Sequence, residues 1–182
     1  MIKKLFLSCF LTIIIYSSFG QINQYGVPFI RNFTSEEYKA AEQNWAICMD
    51  KRGVVYFGNN EDGVLEFDGT SWNKIPITNN SIVRSLALDT TGIIYVGAVG
   101  EFGYLTPDIK GKMQYNSLIN DTPDSLNIED VWKTYTKNNE VYFCAGKNII
   151  KFKDLELQNI YQDTSGAFIS FFIDNHLYVG NY

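Results

Sequence analysis

Four carboxylates crowd one short stretch of the 182-residue sequence: Glu61, Asp62, Glu66 and Asp68. Paired carboxylates are the working groups of glycoside hydrolysis, one as acid and one as base or nucleophile. Turn chemistry explains these four better, because Asp62 and Asp68 each precede a glycine and Glu66 falls on a half-exposed strand position. Nucleophilic catalysis through a Ser-His-Asp or Cys-His set lacks parts, since His176 is the only histidine and sits in a strand pattern. The glycines at 97, 100 and 103 lead into a strand, whereas a dinucleotide-binding loop must open a helix.

Asp68-Gly69-Thr70-Ser71-Trp72 has the look of a sialidase aspartate box, and the mature chain has three arginines, Arg31, Arg52 and Arg84. The spacing does not match, and Arg52 falls in a turn between strands. No metal site is expected, because no cysteines are paired at ligand spacing. Cys48 and Cys144 lie in strands, where buried thiols pack as small hydrophobes. Trp45, Trp72 and Trp132, with recurring tyrosines, offer faces for stacking sugar rings, although packing in the core is their commoner use. No cofactor and no catalytic residue is expected. Polar residues at blade ends, where loops gather round a central channel, are the candidate ligand-binding groups: Arg31, Asn59, Arg84 and Glu101.

The elements that position these residues follow from a repeat. Val54-Val55-Tyr56-Phe57-Gly58, Ile93-Ile94-Tyr95-Val96-Gly97, Val141-Tyr142-Phe143-Cys144 and Leu177-Tyr178-Val179-Gly180 share one pattern, with tyrosines 39, 47 and 36 residues apart. Each copy follows another apolar strand and a polar turn rich in Gly or Asn, the residues that accept positive φ. Two further strands complete the first three units. Four antiparallel strands about every 40 residues are the mark of a β-propeller blade. The sequence therefore predicts an all-β, incomplete propeller of about three and a half blades, over 44–77, 82–118, 130–161 and 166–182. Such an open fan leaves an apolar blade face uncovered, so the chain is expected to be a fragment or truncated product.

Residues 1–20 read as a signal peptide: Lys3 and Lys4, an apolar run from Leu5 to Tyr16, then Ser18 and Gly20 at −3 and −1 of a cleavage point. That run is 12 residues, short of the roughly 20 that span a bilayer. Cleavage removes two lysines and no acids, moving the net charge from −5 to −7. A nucleic-acid partner needs a basic face and is not expected. In 21–43, Tyr25 to Ile30 is a candidate outer strand for a last blade. Thr34-Ser35-Glu36-Glu37 reads as a capping box opening a short helix to about Glu42. The stretch Ile119–Glu129, with Pro123 and three acids, is the longest interblade connection.

Particular strings add a resemblance. Gly26-Val27-Pro28-Phe29-Ile30-Arg31-Asn32, Gln43-Asn44-Trp45, Gly58-Asn59-Asn60 and Gly63-Val64-Leu65-Glu66-Phe67-Asp68-Gly69 are similar to the start of the two-component-regulator propeller proteins of Bacteroidetes. Val83 to Ala87 and Gly97 to Leu105 extend the match, which runs over about 25–180 and departs at Cys144, where the other units have glycine. The resemblance implies a periplasmic seven-bladed sensor of a glycan or other small molecule. It also implies a three-tyrosine domain, one membrane helix and a histidine kinase or LuxR-type output region, none of them in this sequence, with a homodimer as a possible full-length form. The expected function is a noncatalytic ligand-sensing module of a signal-transduction receptor. The rival is a secreted propeller enzyme or glycan-binding protein acting on polysaccharides.

Overall fold

The computed structural model describes residues 30–163 and 168–181. The expected signal peptide and residues 25–29 of the candidate strand Tyr25 to Ile30 lie outside them. The chain divides into two compact units, 1–32 and 33–182. In the first, the described Ile30 and Arg31 are exposed.

The second unit is all-β apart from one helical turn and one 3-10 turn. Blade one contains β1 (Asn44–Met49), β2 (Val55–Asn59), β3 (Val64–Phe67) and β4 (Trp72–Ile75). Blade two contains β5 (Val83–Leu88), β6 (Ile94–Ala98), β7 (Glu101–Pro107) and β8 (Met113–Ser117). Blade three contains β9 (Val131–Lys137), β10 (Glu140–Ala145), β11 (Asn148–Lys153) and β12 (Glu156–Gln162). The hairpin β13 (Phe168–Ile173) and β14 (His176–Asn181) is the half blade. Every sheet runs in sequence order with antiparallel neighbours, so the fold is an incomplete β-propeller. β1 lies beside β5, and β5 beside β9, so the first strands of successive blades meet on the axial side.

Apolar side chains from facing blades make the core. Tyr56, Val64 and Ile75 of blade one close on Val83, Ile94, Val96 and Leu105 of blade two. Tyr95 and Phe102 of blade two close on Val131, Phe143 and Phe152 of blade three. The repeated tyrosine occupies the same place each time: Tyr56 and Tyr95 are buried under the next blade, whereas Tyr178 is 55% exposed. Its partners at the other end are Ile47 and Met49, 66% and 60% exposed on the outward face of blade one.

In the whole blades the second strands are drier than the first. All five residues of β6 are buried, while β1 and β9 each expose several. The second strand has sheet on both sides and a blade on both faces, whereas the first borders the axial opening.

The helix α1 (Ser35–Tyr38) is shorter than the expected run to Glu42. Its capping contact forms, with the Thr34 N–H donating to the Glu37 carboxylate at 2.8 Å. Lys39 then turns left-handed at φ 54° and ends it after one turn. Phe33 and Tyr38 of this segment pack against Trp72, which also stacks on Phe67 at 4.5 Å. They cover the outer part of blade one's free face and leave Ile47 and Met49 bare. The long connection holds a 3-10 turn at Ile119–Asp121.

Gly97 shows how closely the blades approach. A Cβ there would lie closer than 3.0 Å to Ser85, Val131 and Thr134. Ser85 Oγ is 2.8 Å from both the Val131 carbonyl and Thr134 Oγ1, which fixes the seam between blades two and three. Gly97→Ala is expected to lower stability by about 1–3 kcal/mol through overpacking, read as a lower midpoint in thermal unfolding. An unchanged midpoint would contradict this packing.

Candidate functional site

Three of the four carboxylates that suggested catalysis, Asp62, Glu66 and Asp68, accept hydrogen bonds from the scaffold. Asp68 accepts from the Thr70 and Ser71 N–H groups and from Ser71 Oγ, and those bonds hold its carboxyl below the usual range. Asp62 accepts from the Ala41 N–H and from Lys74 at 2.7 Å. Arg52 forks onto Asp50 inside its own turn, at 2.7 Å, and reaches Tyr56 Oη at 3.1 Å. His176 is exposed, with Nδ1 2.8 Å from the Asp174 carbonyl of its turn. Among the described residues no three His, Cys, Asp or Glu side chains are grouped to hold a metal, and no helix is long and apolar enough to cross a membrane.

Both cysteines are free. Burial, with Asp50 adding to it, pushes the Cys48 thiol up to about 12, and burial pushes Cys144 up to about 11. At pH 8 only about one Cys144 thiol in a thousand is therefore ionised. In the folded protein both are expected to react with iodoacetamide at least about tenfold more slowly than in urea, as site-resolved mass spectrometry would show. Equal rates would place the thiols in solvent.

Of the four candidate ligand residues, Arg31 belongs to the other unit, and Asn59 and Glu101 are engaged within the scaffold. Asn59 is fully buried, and its amide donates to the Ala41 carbonyl at 2.7 Å and to Asn44 Oδ1 at 2.9 Å. Its own Oδ1 accepts from the Glu61 and Asp62 N–H groups, so the side chain organises the entry to blade one. Glu101 is 4% exposed, and Oε1 accepts from the Phe102 N–H, Tyr115 and Ser117. Burial and this carboxylate push the Tyr115 phenol far above its ordinary value.

Arg84 differs. In each whole blade the register of the first strand slips at one residue near its start. The residues at those slips are Trp45, Arg84 and Trp132. A bulge bends the strand and re-aims a side chain, and here it turns all three to one place on the axial side. Trp45 and Trp132 meet edge to face, with ring centroids 5.9 Å apart and planes at 79°, and the Arg84 guanidinium lies in the corner they form, 4.2 Å from the Trp45 ring centroid and 4.4 Å from that of Trp132. Its Nε donates to Asp130 Oδ2 at 3.1 Å, while Nη1 is buried without an acceptor. One side chain thus ties three blades together.

Trp45 and Trp132 remain 40% and 48% exposed. Beyond Trp132, toward the half blade, lies a cavity of about 380 Å³ bordered by Glu129, Asp130, Lys133 and Ser170. Gly146 at φ 53° borders it too, and a Cβ there would strike the Glu129 carboxylate. A larger cavity of about 480 Å³ between Tyr142, Tyr161 and Leu177 is the uncovered seam of the half blade and has no comparable convergence of charges.

Sequence reasoning singled out Arg84 and missed its grouping with Trp45, Trp132 and Asp130. The signal was present: Trp45 and Arg84 stand eleven residues before their blade's tyrosine, and Trp132 ten. Arg84→Ala should cost about 2 kcal/mol, from two cation–π contacts and the Asp130 pair it would orphan. Arg84→Lys should recover less than half of this, because an ammonium has no flat face to stack. Full recovery by lysine, measured by urea unfolding, would refute the packing of the guanidinium on the two rings.

No family model and no curated protein matches the chain. Solved structures do. The extracellular domain assigned to the hybrid two component system BT3049 of B. thetaiotaomicron superimposes with a TM-score of 0.63 at 16% identity, over 84% of this chain and 22% of that one. The extracellular domain assigned to the one component system BT4673 of the same organism gives 0.55 at 14% identity, over 76% and 19%. Virginiamycin B lyase from Staphylococcus aureus gives 0.56 at 18% identity, over 75% and 48%. The chain spans less than a quarter of either of those extracellular domains. At these identities the likeness is one of fold: this chain is a run of β-propeller blades built like part of the extracellular domains of those B. thetaiotaomicron systems.

Proposed function

We propose that the chain is the noncatalytic, extracytoplasmic ligand-sensing portion of a bacterial signalling receptor, exported by residues 1–20. The observation that carries this reading is the Trp45–Arg84–Trp132 group with its adjoining cavity. It presents aromatic faces, paired charges and a space of ligand size on the axial side of a sensor-like fold. Its site residues are Trp45, Arg84, Asp130 and Trp132, in place of the dispersed set first expected. The partner is a small molecule or glycan. Signal output belongs to a remaining propeller, a three-tyrosine domain and a membrane helix, as in the proteins the sequence resembles.

Binding there would work by population shift. The site draws on three blades, so a ligand that fits one relative blade geometry better than another biases the whole fan. The likeness to the lyase concerns fold and not chemistry. The mature sequence offers one histidine and no aligned acid pair, so the sensor reading accounts for more of the residues than the enzyme reading does.

The test is a melting screen of the full chain, exported to the periplasm of an expression host, against soluble polysaccharide digests and small metabolites. At least one component should raise the midpoint saturably and be recovered chemically unchanged by mass spectrometry. A component recovered cleaved or isomerised would contradict the noncatalytic assignment, and no stabilising component would contradict sensing.

A further inference from the structure

The cavity beside Trp132 has three features that together narrow what it can hold. One is the aromatic wall. Trp132 has Arg84 against its ring at 4.4 Å and keeps 48% of its surface exposed. An exposed indole face suits the C–H face of a saturated ring, which is apolar without being greasy enough to bury alone.

The second feature is a preset acceptor. Asp130 Oδ2 is held by Arg84 Nε at 3.1 Å, so the carboxylate does not swing freely, and Oδ1 accepts no hydrogen bond among the described residues. Glu129 adds a second carboxylate and Lys133 an ammonium. Carboxylates only accept and an ammonium only donates. Hydroxyl groups on adjacent carbons, each able to do both, satisfy such a mixed set, where an ether, which only accepts, would not.

The third feature is charge. Arg84 and Lys133 against Glu129 and Asp130 leave the site formally neutral, within a chain of net charge −5. An acidic ligand would gain no net attraction locally and would meet a repulsive field on approach. A cationic one would find the corner formed by the two indoles already filled by Arg84.

Resting on the sensor reading above, we infer that this cavity takes an uncharged ring-shaped polyol, a single pyranose, in preference to a uronic acid. Its volume lies at the lower end of the range for ligand pockets, which suits one ring and not a long chain segment. Trp132 is the stacking surface, Asp130 the hydroxyl acceptor, and Arg84 a positioning residue acting through both. Glu129 determines specificity by excluding carboxylates.

The experiment titrates the full exported chain with methyl α-glucoside, methyl α-mannoside and methyl β-galactoside, and in parallel with glucuronic and galacturonic acid. Tryptophan fluorescence and calorimetry are the readouts. At least one glycoside should bind saturably and at least tenfold tighter than either acid. Trp132→Ala should weaken it at least tenfold and Trp132→Phe by threefold or less. Glu129→Lys, a substitution at an exposed position, should bring uronate binding to within threefold of the neutral ring. The inference is overturned by uronates binding as tightly as glycosides, by unaltered binding in Trp132→Ala, or by no saturable glycoside binding. If the melting screen still finds a different ligand, only the polyol inference falls, and the sensor reading stands.

Discussion

Covering of one blade face by the next is the constraint on which everything else in this structure depends. A four-stranded sheet with two apolar faces has no stable place in water, and each blade here becomes dry only where a neighbour covers it. Tyr56 and Tyr95 vanish under the following blade and Tyr178 does not; Leu86 packs on blade one, while Ile47, its counterpart, packs on nothing described. Stability in such an arrangement is a chain of nearest-neighbour interfaces, as in other repeat architectures.

The same constraint creates the candidate site. Seam packing fixes most of each first strand: Ser85, Thr134 and Thr136 all bond across to the neighbouring blade. Only near the start of the strand, where the register slips, is a side chain released toward the axis. Trp45, Arg84 and Trp132 are what three blades place there, and the guanidinium in the corner of the two indoles links them without filling the space beyond Trp132. A site made this way depends on the relative position of three blades, which is what the proposed sensing role would use.

The fold was largely legible in the sequence because its signals are local. Turn residues such as Gly53, Gly92 and Asn138 do adopt positive φ, and the tyrosine motif marks the second strand of every unit. Helix length was misjudged because the left-handed turn at Lys39 has no glycine to announce it. The site was less legible. Asn59 and Glu101 are polar residues at blade ends, as a ligand residue would be, yet their partners lie 1 to 18 residues away and absorb them into the scaffold. Arg84 meets Asp130 across 46 residues, a pairing that only the stacking of blades creates.

Site-resolved hydrogen exchange tests the stacking account most directly, because it reads local opening strand by strand. Amides of β6, covered on both faces, should exchange slowest, those of β2 and β10 next, and those of β14 and the outward side of β1 fastest. Uniform protection from Asn44 to Asn181, or slowest exchange in β13 and β14, would contradict it by showing that the strands are held by something other than their neighbouring blades.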